Sequence, residues 1–287
     1  MLAETQSQSA KVQIVDLTPE IGSTVIAAKD ALLSGNHATL LRTKLRERGV
    51  LLFPEICMSD DEQIAFTHTL GTFAHEKSEQ REGQTGDHVY PISMDPAVNP
   101  AADYLRGAFF WHIDGTTSDV PIFASIMSAR KLSDKGGETD FCNTYAAWEA
   151  LPHEDKAAIQ DLRVTHAFWR SQLYVHPEPS HAQLKQWMQF PVKSLPLVWT
   201  HKSGRKSLIL GVTAQQVEGM DGMESEELLV RLRDWATQPR FSYRHSWRLG
   251  DMVIWDNTGT MHRALPYAHD SGRLMHRTKL EGEESFP

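Results

Sequence analysis

The chain has 287 residues, 40% of them hydrophobic, which is enough to bury a core as one large domain or two small ones. A formal net charge of -8 at pH 7, with scattered basic residues, argues against a nucleic-acid surface and favours a small, diffusible substrate. Two cysteines, Cys57 and Cys142, are too few for a disulfide framework and fit a reducing cytoplasm. We see no signal-peptide pattern and no run of about 18 apolar residues, so we expect a cytoplasmic protein that does not enter a membrane.

The first third of the chain predicts short strands and helices. After a polar tail at about 1–10, apolar spacing predicts strands at 12–15 and 50–53 and helices at 38–48 and 59–70. Gly49 is expected to end the first helix, and Ser59, which three acidic residues follow, is typical of an N-cap. Residues 76–108 are rich in Glu, Gly, Asp, Pro and Asn apart from a strand-like stretch at 88–93, and we interpret them as a lid.

The remainder predicts a β core interrupted by an insert. Strands are predicted at 121–129, 138–142, 241–247, 251–255 and 274–280, and helices at 146–151 and 154–162. Residues from about 150 to 240 are mixed, with a helix at 225–236 and strand-like pieces at 195–199 and 207–211. We interpret them as a helical insert that decorates the core. Candidate metal ligands lie on both sides of the insert, which favours a single domain spanning 1–287.

The segment Trp-His-Ile-Asp at 111–114 carries the main functional signal. Residues i and i+2 of a β-strand project from one face, so His112 and Asp114 can hold one ion together. His262, which follows a hydrophobic strand bearing Trp-Asp-Asn, would complete the set from a later strand. Two histidines and a carboxylate leave three coordination positions open, as in non-haem Fe(II) oxygenases. Considered alone, His-x-Asp also fits an ordinary strand in which the histidine is hydrogen-bonded within the protein. Gly115 favours the metal site, because a glycine allows close backbone approach.

Several motifs, in order along the chain, resemble one family. They are Gly-Val-Leu-Leu-Phe-Pro from Gly49, Leu-Gly-Thr-Phe around Gly71, Trp-His-Ile-Asp at 111–114, Gly-Gly-Glu-Thr-Asp-Phe at 136–141, Thr-Tyr-Ala-Ala-Trp at 144–148, Gly-Asp-Met-Val-Ile-Trp-Asp-Asn at 250–257 and Met-His-Arg at 261–263. The chain thereby resembles the Fe(II)/2-oxoglutarate dioxygenases of the TauD/TfdA family, typified by taurine dioxygenase and the phenoxyacetate herbicide dioxygenases. The resemblance spans nearly the whole chain.

The resemblance implies an α+β fold with a double-stranded β-helix, or jelly-roll, core and flanking helices. It implies that His112, Asp114 and His262 bind Fe(II), and that Thr139 and Arg273 hold the distal carboxylate of 2-oxoglutarate. A guanidinium fork and a threonine hydroxyl suit a carboxylate chemically. The alternatives are that Arg273 pairs with Asp270 on the surface and that Thr139 merely favours a strand.

The substrate is expected to be a small anion, either a carboxylate or a sulfonate. Arg277 lies four residues after Arg273, so on a strand the two guanidiniums face the same way. The family resemblance implies that Arg277 binds the acidic group of the substrate; alternatively, it supports Arg273 or balances a buried acid such as Asp256. His75 matches a substrate-contacting histidine of the family only loosely, and a surface histidine beside Glu76 is the alternative.

The resemblance further implies that O2 and 2-oxoglutarate are consumed, that succinate and CO2 are released, and that the substrate is hydroxylated. Hydroxylation at a carbon that bears a leaving group would cleave the substrate. Two alternatives remain, a hydrolytic zinc enzyme and a non-catalytic jelly-roll protein with a structural metal. Gly115, Phe109, Phe110 and the segment 76–105 depart from the reference enzymes and leave the substrate's identity open. The oligomeric state is open too, a homo-oligomer included.

Overall fold

The computed structural model describes residues 12–75 and 86–287. The predicted tail at 1–10 and part of the predicted lid lie outside these residues. The strands, in chain order, are β1 (Gln13–Asp16), β2 (Ser23–Ile26), β3 (Val50–Phe53), β4 (Tyr90–Ile92), β5 (Ala124–Lys131), β6 (Thr139–Asn143), β7 (Arg163–His166), β8 (Lys193–Pro196), β9 (Val198–Thr200), β10 (Lys206–Leu208), β11 (Ala214–Val217), β12 (Ser242–His245), β13 (Met252–Asp256), β14 (Thr260–Ala264) and β15 (Leu274–Leu280). The α-helices are α1 (Lys29–Leu33), α2 (Ala38–Arg48), α3 (Asp60–Leu70), α4 (Thr144–Glu149), α5 (His153–Ile159), α6 (Phe168–Val175), α7 (His181–Trp187) and α8 (Gly222–Ala236), and 3-10 helices span Ala102–Phe109 and Pro239–Phe241.

Two sheets enclose the centre of the molecule. The main sheet has the strand order β1-β2-β3-β13-β5-β15-β4, in which β2 and β3 are parallel and the other neighbours antiparallel. The second sheet has the order β12-β6-β14. Apolar side chains of the main sheet, Val253 and Trp255 among them, form one cluster with Phe141 of the second sheet. The two sheets therefore pack face to face around a shared core.

Helices cover the outer face of the main sheet. Because β3 and β13 are buried on both faces, their sequences, VLLF and MVIWD, are almost continuously hydrophobic rather than alternating. The α3 helix packs on this face through Phe66, whose ring lies 5.6 Å from that of Phe53. Its N-terminus is held by a capping box of Ser59 and Glu62, as the sequence predicts.

The insert between α4 and β12 contains helices and two small sheets, with the strand orders β11-β7-β8 and β10-β9. The insert therefore has the mixed helix and strand content that the sequence predicts, with more strand than the term helical insert implies. The predicted strand at 195–199 is two strands that belong to different sheets, with Leu197 between them. The insert shares one apolar cluster with Trp148 of α4 and Met261 of β14, so it packs directly against the back of the second sheet.

Element boundaries agree best where turn chemistry is strong. The predictions for α2, β3 and β15 are confirmed, since each element begins and ends at the predicted residues. The strand predicted at 121–129 begins only at Ala124, because Pro121 packs under the turn at Gly115. Short elements such as β2, β7, β11, α6 and α7 were not predicted. Among the described residues, no helix is both long and apolar enough to cross a membrane.

Candidate active site

The backbones of His112 and His262 are hydrogen-bonded to each other. The His112 N–H donates to the His262 carbonyl at 3.0 Å, and the His262 N–H donates back at 2.9 Å. His262 lies on β14, as predicted, whereas His112 forms only an isolated bridge. The prediction that His112 and Asp114 share a regular strand is wrong, because the chain turns at Asp114. Gly115 makes this turn with a φ of +89° and leaves no room for a side chain against Pro121.

The structure nevertheless brings the three predicted metal ligands together. One donor atom from each of His112, Asp114 and His262 lies within 4.8 Å of the others. The Nε2 atoms of His112 and His262 each lie 3.8 Å from a carboxylate oxygen of Asp114. The Nδ1 of His112 lies 2.8 Å from the Phe110 carbonyl, which can only accept, so Nδ1 carries the proton and Nε2 offers its lone pair. Two imidazole nitrogens and one carboxylate oxygen are a donor set that fits Fe(II).

The charges around the three ligands favour metal-binding protonation states. Burial alone would raise the pKa of Asp114, but His262, Arg277 and His112 hold that pKa well below its usual range. Burial, together with neighbouring His112, holds the pKa of His262 well below its usual value. At neutral pH the carboxylate is therefore ionised and the His262 imidazole neutral, which are the forms that bind a metal.

Asp114 is supported by a buried polar chain. The Ser125 hydroxyl donates to Oδ2 of Asp114 at 3.0 Å, and the side-chain amide of Asn257 donates to Ser125 Oγ at 3.0 Å. Both Ser125 and Asn257 are fully buried. Sequence reasoning missed Ser125, because a single serine within a strand carries no local pattern.

Arg273 is buried beside the loop that leads into β6 of the second sheet. It is only 3% exposed, its Nη2 donates to the Gly137 carbonyl at 3.0 Å, and its guanidinium lies over the Tyr267 ring at 4.7 Å. Gly137 has a φ of +82°, and a Cβ there would lie 2.8 Å from Arg273 Nε, so this position requires glycine. Within residues 12–75 and 86–287, no carboxylate forms an ion pair with Arg273, and the alternative of a surface pair with Asp270 is wrong.

Thr139 occupies the start of β6 and is buried. Its Oγ1 accepts a hydrogen bond from Trp247 Nε1 at 3.0 Å. Because the indole N–H can only donate, the threonine hydroxyl keeps its own proton to give to another acceptor. Sequence reasoning missed this contribution from Trp247, as it did that of Tyr267 beside Arg273.

Arg277 faces the metal ligands from β15. Its Nη1 lies 3.7 Å from Asp114 Oδ2, and its guanidinium lies 5.7 Å from the centre of the Tyr90 ring. The cations that act on Asp256 are instead Arg46 and Arg205, so Asp256 is not the acid beside Arg277. Lys279, two residues further along the strand, is also buried and helps to hold down the pKa of Asp114. The sequence analysis did not identify Lys279.

His75 lies nearer the surface, with 39% of its side chain exposed. Its Nε2 lies 2.9 Å from Asp87 Oδ1, and its ring packs 5.1 Å from that of Phe73. Among the described residues, His75 is held by these contacts and makes none with a metal ligand. The alternative partner, Glu76, lies outside the described residues.

Comparison with known proteins agrees with this arrangement. Residues 13–279 match the family described as "Taurine catabolism dioxygenase TauD, TfdA family". The alpha-ketoglutarate-dependent 2,4-dichlorophenoxyacetate dioxygenase of Cupriavidus pinatubonensis is 32% identical over 94% of this chain and 93% of its own length. The (S)-phenoxypropionate/alpha-ketoglutarate-dioxygenase of Sphingobium herbicidovorans is 29% identical over 96% of each chain.

A solved structure is similar over the same length. The crystal structure of AAD-2 in complex with Mn(II) and N-oxalylglycine has a TM-score of 0.81 and 31% identity, and the match covers 96% of this chain and 100% of that chain. The mixed α/β fold with its large sheet is thus shared with that protein. The chain belongs to the TauD/TfdA family and is an Fe(II)- and 2-oxoglutarate-dependent dioxygenase, an oxidoreductase.

Proposed function

We propose that this dioxygenase hydroxylates a small organic acid at a carbon held close to the iron. The observation that carries the proposal is a pair of arginines: Arg277 lies 3.7 Å from Asp114 Oδ2, and Arg273, four residues earlier, is buried and donates to the Gly137 carbonyl. One guanidinium suits the co-substrate and the other an anionic substrate. The two relatives named above act on phenoxyalkanoic acids, which carry a carboxylate and an ether oxygen. Hydroxylation beside an ether oxygen cleaves the molecule.

Iron would be held by His112, Asp114 and His262. When bound, iron and 2-oxoglutarate supply the oxidising power: one O2 is consumed, 2-oxoglutarate becomes succinate and CO2, and one oxygen atom enters a substrate C–H bond. The chain's own contribution is to keep the His262 imidazole neutral, to keep Asp114 ionised and to supply only three ligands, which would leave coordination positions open. The burial of His262 and Phe141 keeps water away from one side of the site.

Arg273 and Thr139 are proposed to bind the distal carboxylate of 2-oxoglutarate. A buried guanidinium without a carboxylate partner among the described residues gains most from an incoming anion. The free proton of the Thr139 hydroxyl adds a donor. N-oxalylglycine in the AAD-2 structure has the skeleton of 2-oxoglutarate with an N–H in place of one methylene, which is consistent with such a pocket.

Arg277 is proposed to bind the substrate's acidic group, with His75 at the outer end of the same region. Arg277 lies on β15 two positions from buried Lys279, so two cationic side chains project from the same face of the strand. Positive charge next to the iron ligands favours an anion over a neutral substrate. The role of His75 rests on the family resemblance alone.

The whole chain is proposed to form one catalytic domain with a jelly-roll core. The main and second sheets supply the two packed layers, and the iron site lies at the bridge between the 111–114 segment and β14. The insert packs on the second sheet and forms part of the same unit. A cytoplasmic location stays a prediction from sequence. A hydrolytic zinc site or a structural metal would leave Arg273 and Thr139 without a role.

Anaerobic titration of the metal-free protein with Fe(II) and then 2-oxoglutarate tests the proposal. We expect the weak visible charge-transfer band of the chelate, followed by succinate release in air with an aryloxyalkanoic acid. The matched variant His112→Ala should lose both signals. A parent protein that forms no chelate band and binds Zn(II) tightly instead would contradict the proposed function.

A further inference from the structure

The two oxygens of Asp114 lie in different surroundings. Oδ2 accepts from the Ser125 hydroxyl at 3.0 Å and lies 3.7 Å from Arg277 Nη1. Each oxygen lies 3.8 Å from one histidine, Oδ1 from His112 Nε2 and Oδ2 from His262 Nε2, but neither Ser125 nor Arg277 is paired with Oδ1. Among the described residues, the chain thus gives a hydrogen-bond donor to Oδ2 and none to Oδ1.

The direction of the hydrogen bond from Ser125 is fixed by chemistry. An ionised carboxylate can only accept hydrogen bonds, so the serine hydroxyl must donate its single proton to Asp114. Ser125 lies on β5, where its backbone is paired with Trp255 of β13 on one side and Lys279 of β15 on the other. A central strand with a neighbour on each side holds this hydroxyl at a fixed position.

Asn257 fixes the serine in turn. Its side-chain nitrogen donates to Ser125 Oγ at 3.0 Å, and its backbone N–H donates to the Phe123 carbonyl at 2.9 Å. Since the hydroxyl proton is already used, only the amino half of the Asn257 amide can face Ser125 favourably. Asn257 immediately follows β13, so the Trp-Asp-Asn motif places this amide beside the iron ligands.

We propose that Asn257 and Ser125 are positioning residues that hold one oxygen of Asp114 and so limit its bonding to iron to the other oxygen. The inference rests on the proposed iron site. A facial triad leaves three positions open, of which a chelating keto acid takes two and O2 takes one. A second oxygen from Asp114 would occupy one of them. The chain Asn257–Ser125–Asp114 therefore protects the position at which O2 or the chelate must bind.

Ser125→Ala tests this inference, with Ser128→Ala as its matched control. Ser128 lies on the same strand and is also buried, and its hydroxyl donates to Gln63 Oε1 at 2.5 Å on the opposite face of the sheet. Both substitutions remove one buried hydroxyl and the hydrogen bond that it donates, and Ser125→Ala also removes the acceptor of the Asn257 amide. Only Ser125→Ala releases Asp114 Oδ2.

The measurements are Mn(II) affinity by electron paramagnetic resonance and the Fe(II)–2-oxoglutarate band under anaerobic conditions. We expect Ser125→Ala to weaken Mn(II) binding by about 10- to 100-fold and to shift or weaken the band, since removing a group that hydrogen-bonds a metal ligand has effects of this size. Ser128→Ala should match the parent in both measurements. Parent-like Mn(II) affinity and an unchanged band in Ser125→Ala would overturn the inference, whereas a parent protein without the band would overturn the proposed function instead.

Asn257→Ala provides a second, independent test that does not depend on how well Ser125→Ala folds. Its loss of Mn(II) affinity should be smaller, because the serine hydroxyl remains. If Asn257 acts through Ser125, the double variant should bind Mn(II) no more weakly than Ser125→Ala. Losses that multiply in the double variant would contradict the chain and show two separate roles. Thermal unfolding of each variant checks that the fold is intact.

Discussion

Arg273 and Arg277 lie four residues apart, yet their electrical surroundings are opposite. Arg277 has a carboxylate oxygen of Asp114 at 3.7 Å, so its charge is partly balanced by the metal site. Arg273 is 3% exposed, and its guanidinium contacts the Gly137 carbonyl and the ring of Tyr267. The difference teaches that one residue type has two different surroundings, just before β15 at Arg273 and within β15 at Arg277. Arg277 acts on the charge of Asp114, and Arg273 is the arginine proposed to bind 2-oxoglutarate.

An arginine cannot relieve its burial by losing a proton. Burial lowers the pKa of Arg273, but a guanidinium with an ordinary pKa above 12 stays charged at neutral pH. Tyr267 and Glu138 favour the charged form of Arg273 but do not offset its burial, so an incoming anion would stabilise it further. The surroundings of Arg273 and Arg277 therefore differ more than their spacing in the sequence suggests.

The largest expected effect is that of Arg273→Ala on 2-oxoglutarate. We expect the KM for 2-oxoglutarate to rise roughly 100-fold, because removing one partner of a buried charge pair costs about 3 kcal/mol. The KM for the organic acid should change far less. Arg273→Lys keeps the charge without the two-pronged geometry, so its KM for 2-oxoglutarate should lie between those of the parent and Arg273→Ala. Steady-state kinetics in each substrate measures this, and an unchanged dependence on 2-oxoglutarate would show that Arg273 has another role.

Arg277→Ala should act on the substrate instead. We expect a roughly tenfold rise in the KM for an aryloxyalkanoic acid, since a charge-assisted hydrogen bond contributes about 1.5 kcal/mol. Binding of 2-oxoglutarate, followed by its anaerobic band, should be retained. The uncharged amide of the same acid serves as the control, because its KM should differ little between the parent and Arg277→Ala. A parent enzyme that already binds acid and amide equally well would refute an anionic substrate.

The smallest effect concerns Asp256, a buried charge that can be neutralised. Its Oδ1 accepts from the backbone N–H of Thr258 at 2.8 Å and from the Thr258 hydroxyl at 2.5 Å, and burial raises the pKa of Asp256 to about 6. A raised carboxyl pKa contributes stability that is present below about pH 4 and is lost as the pH rises through about 6.

Asp256→Asn should remove this pH dependence. We expect the variant to be more stable than the parent by about 1 to 2 kcal/mol at pH 7.5, and the gain to vanish near pH 4.5. Urea unfolding at the two pH values measures the difference. Parallel pH profiles for parent and variant would mean that Asp256 ionises in the folded chain without penalty.

Local patterns in the sequence predicted the elements that local chemistry determines. Gly49, with a φ of +73°, ends α2 where expected, and β15 begins and ends at the predicted residues. The His-x-Asp spacing identified the residues that converge, although not the turn at Asp114, which depends on the distant Pro121. Ser125 could not be predicted, because its importance comes from a contact across the fold. Strand-like pieces of the insert at 195–199 and 207–211 were predicted, whereas β7 and β11 were not, because each has only four residues and pairs with a strand elsewhere in the chain.

The hydrogen-bonded pairing of His112 with His262 also concerns how the chain folds. It joins segments about 150 residues apart, and contacts between such distant residues close only after much of the intervening chain is ordered. The complete set of ligands therefore belongs to the finished fold rather than to an early intermediate. Iron that binds only this state stabilises it by mass action, so metal loading reports that folding is complete.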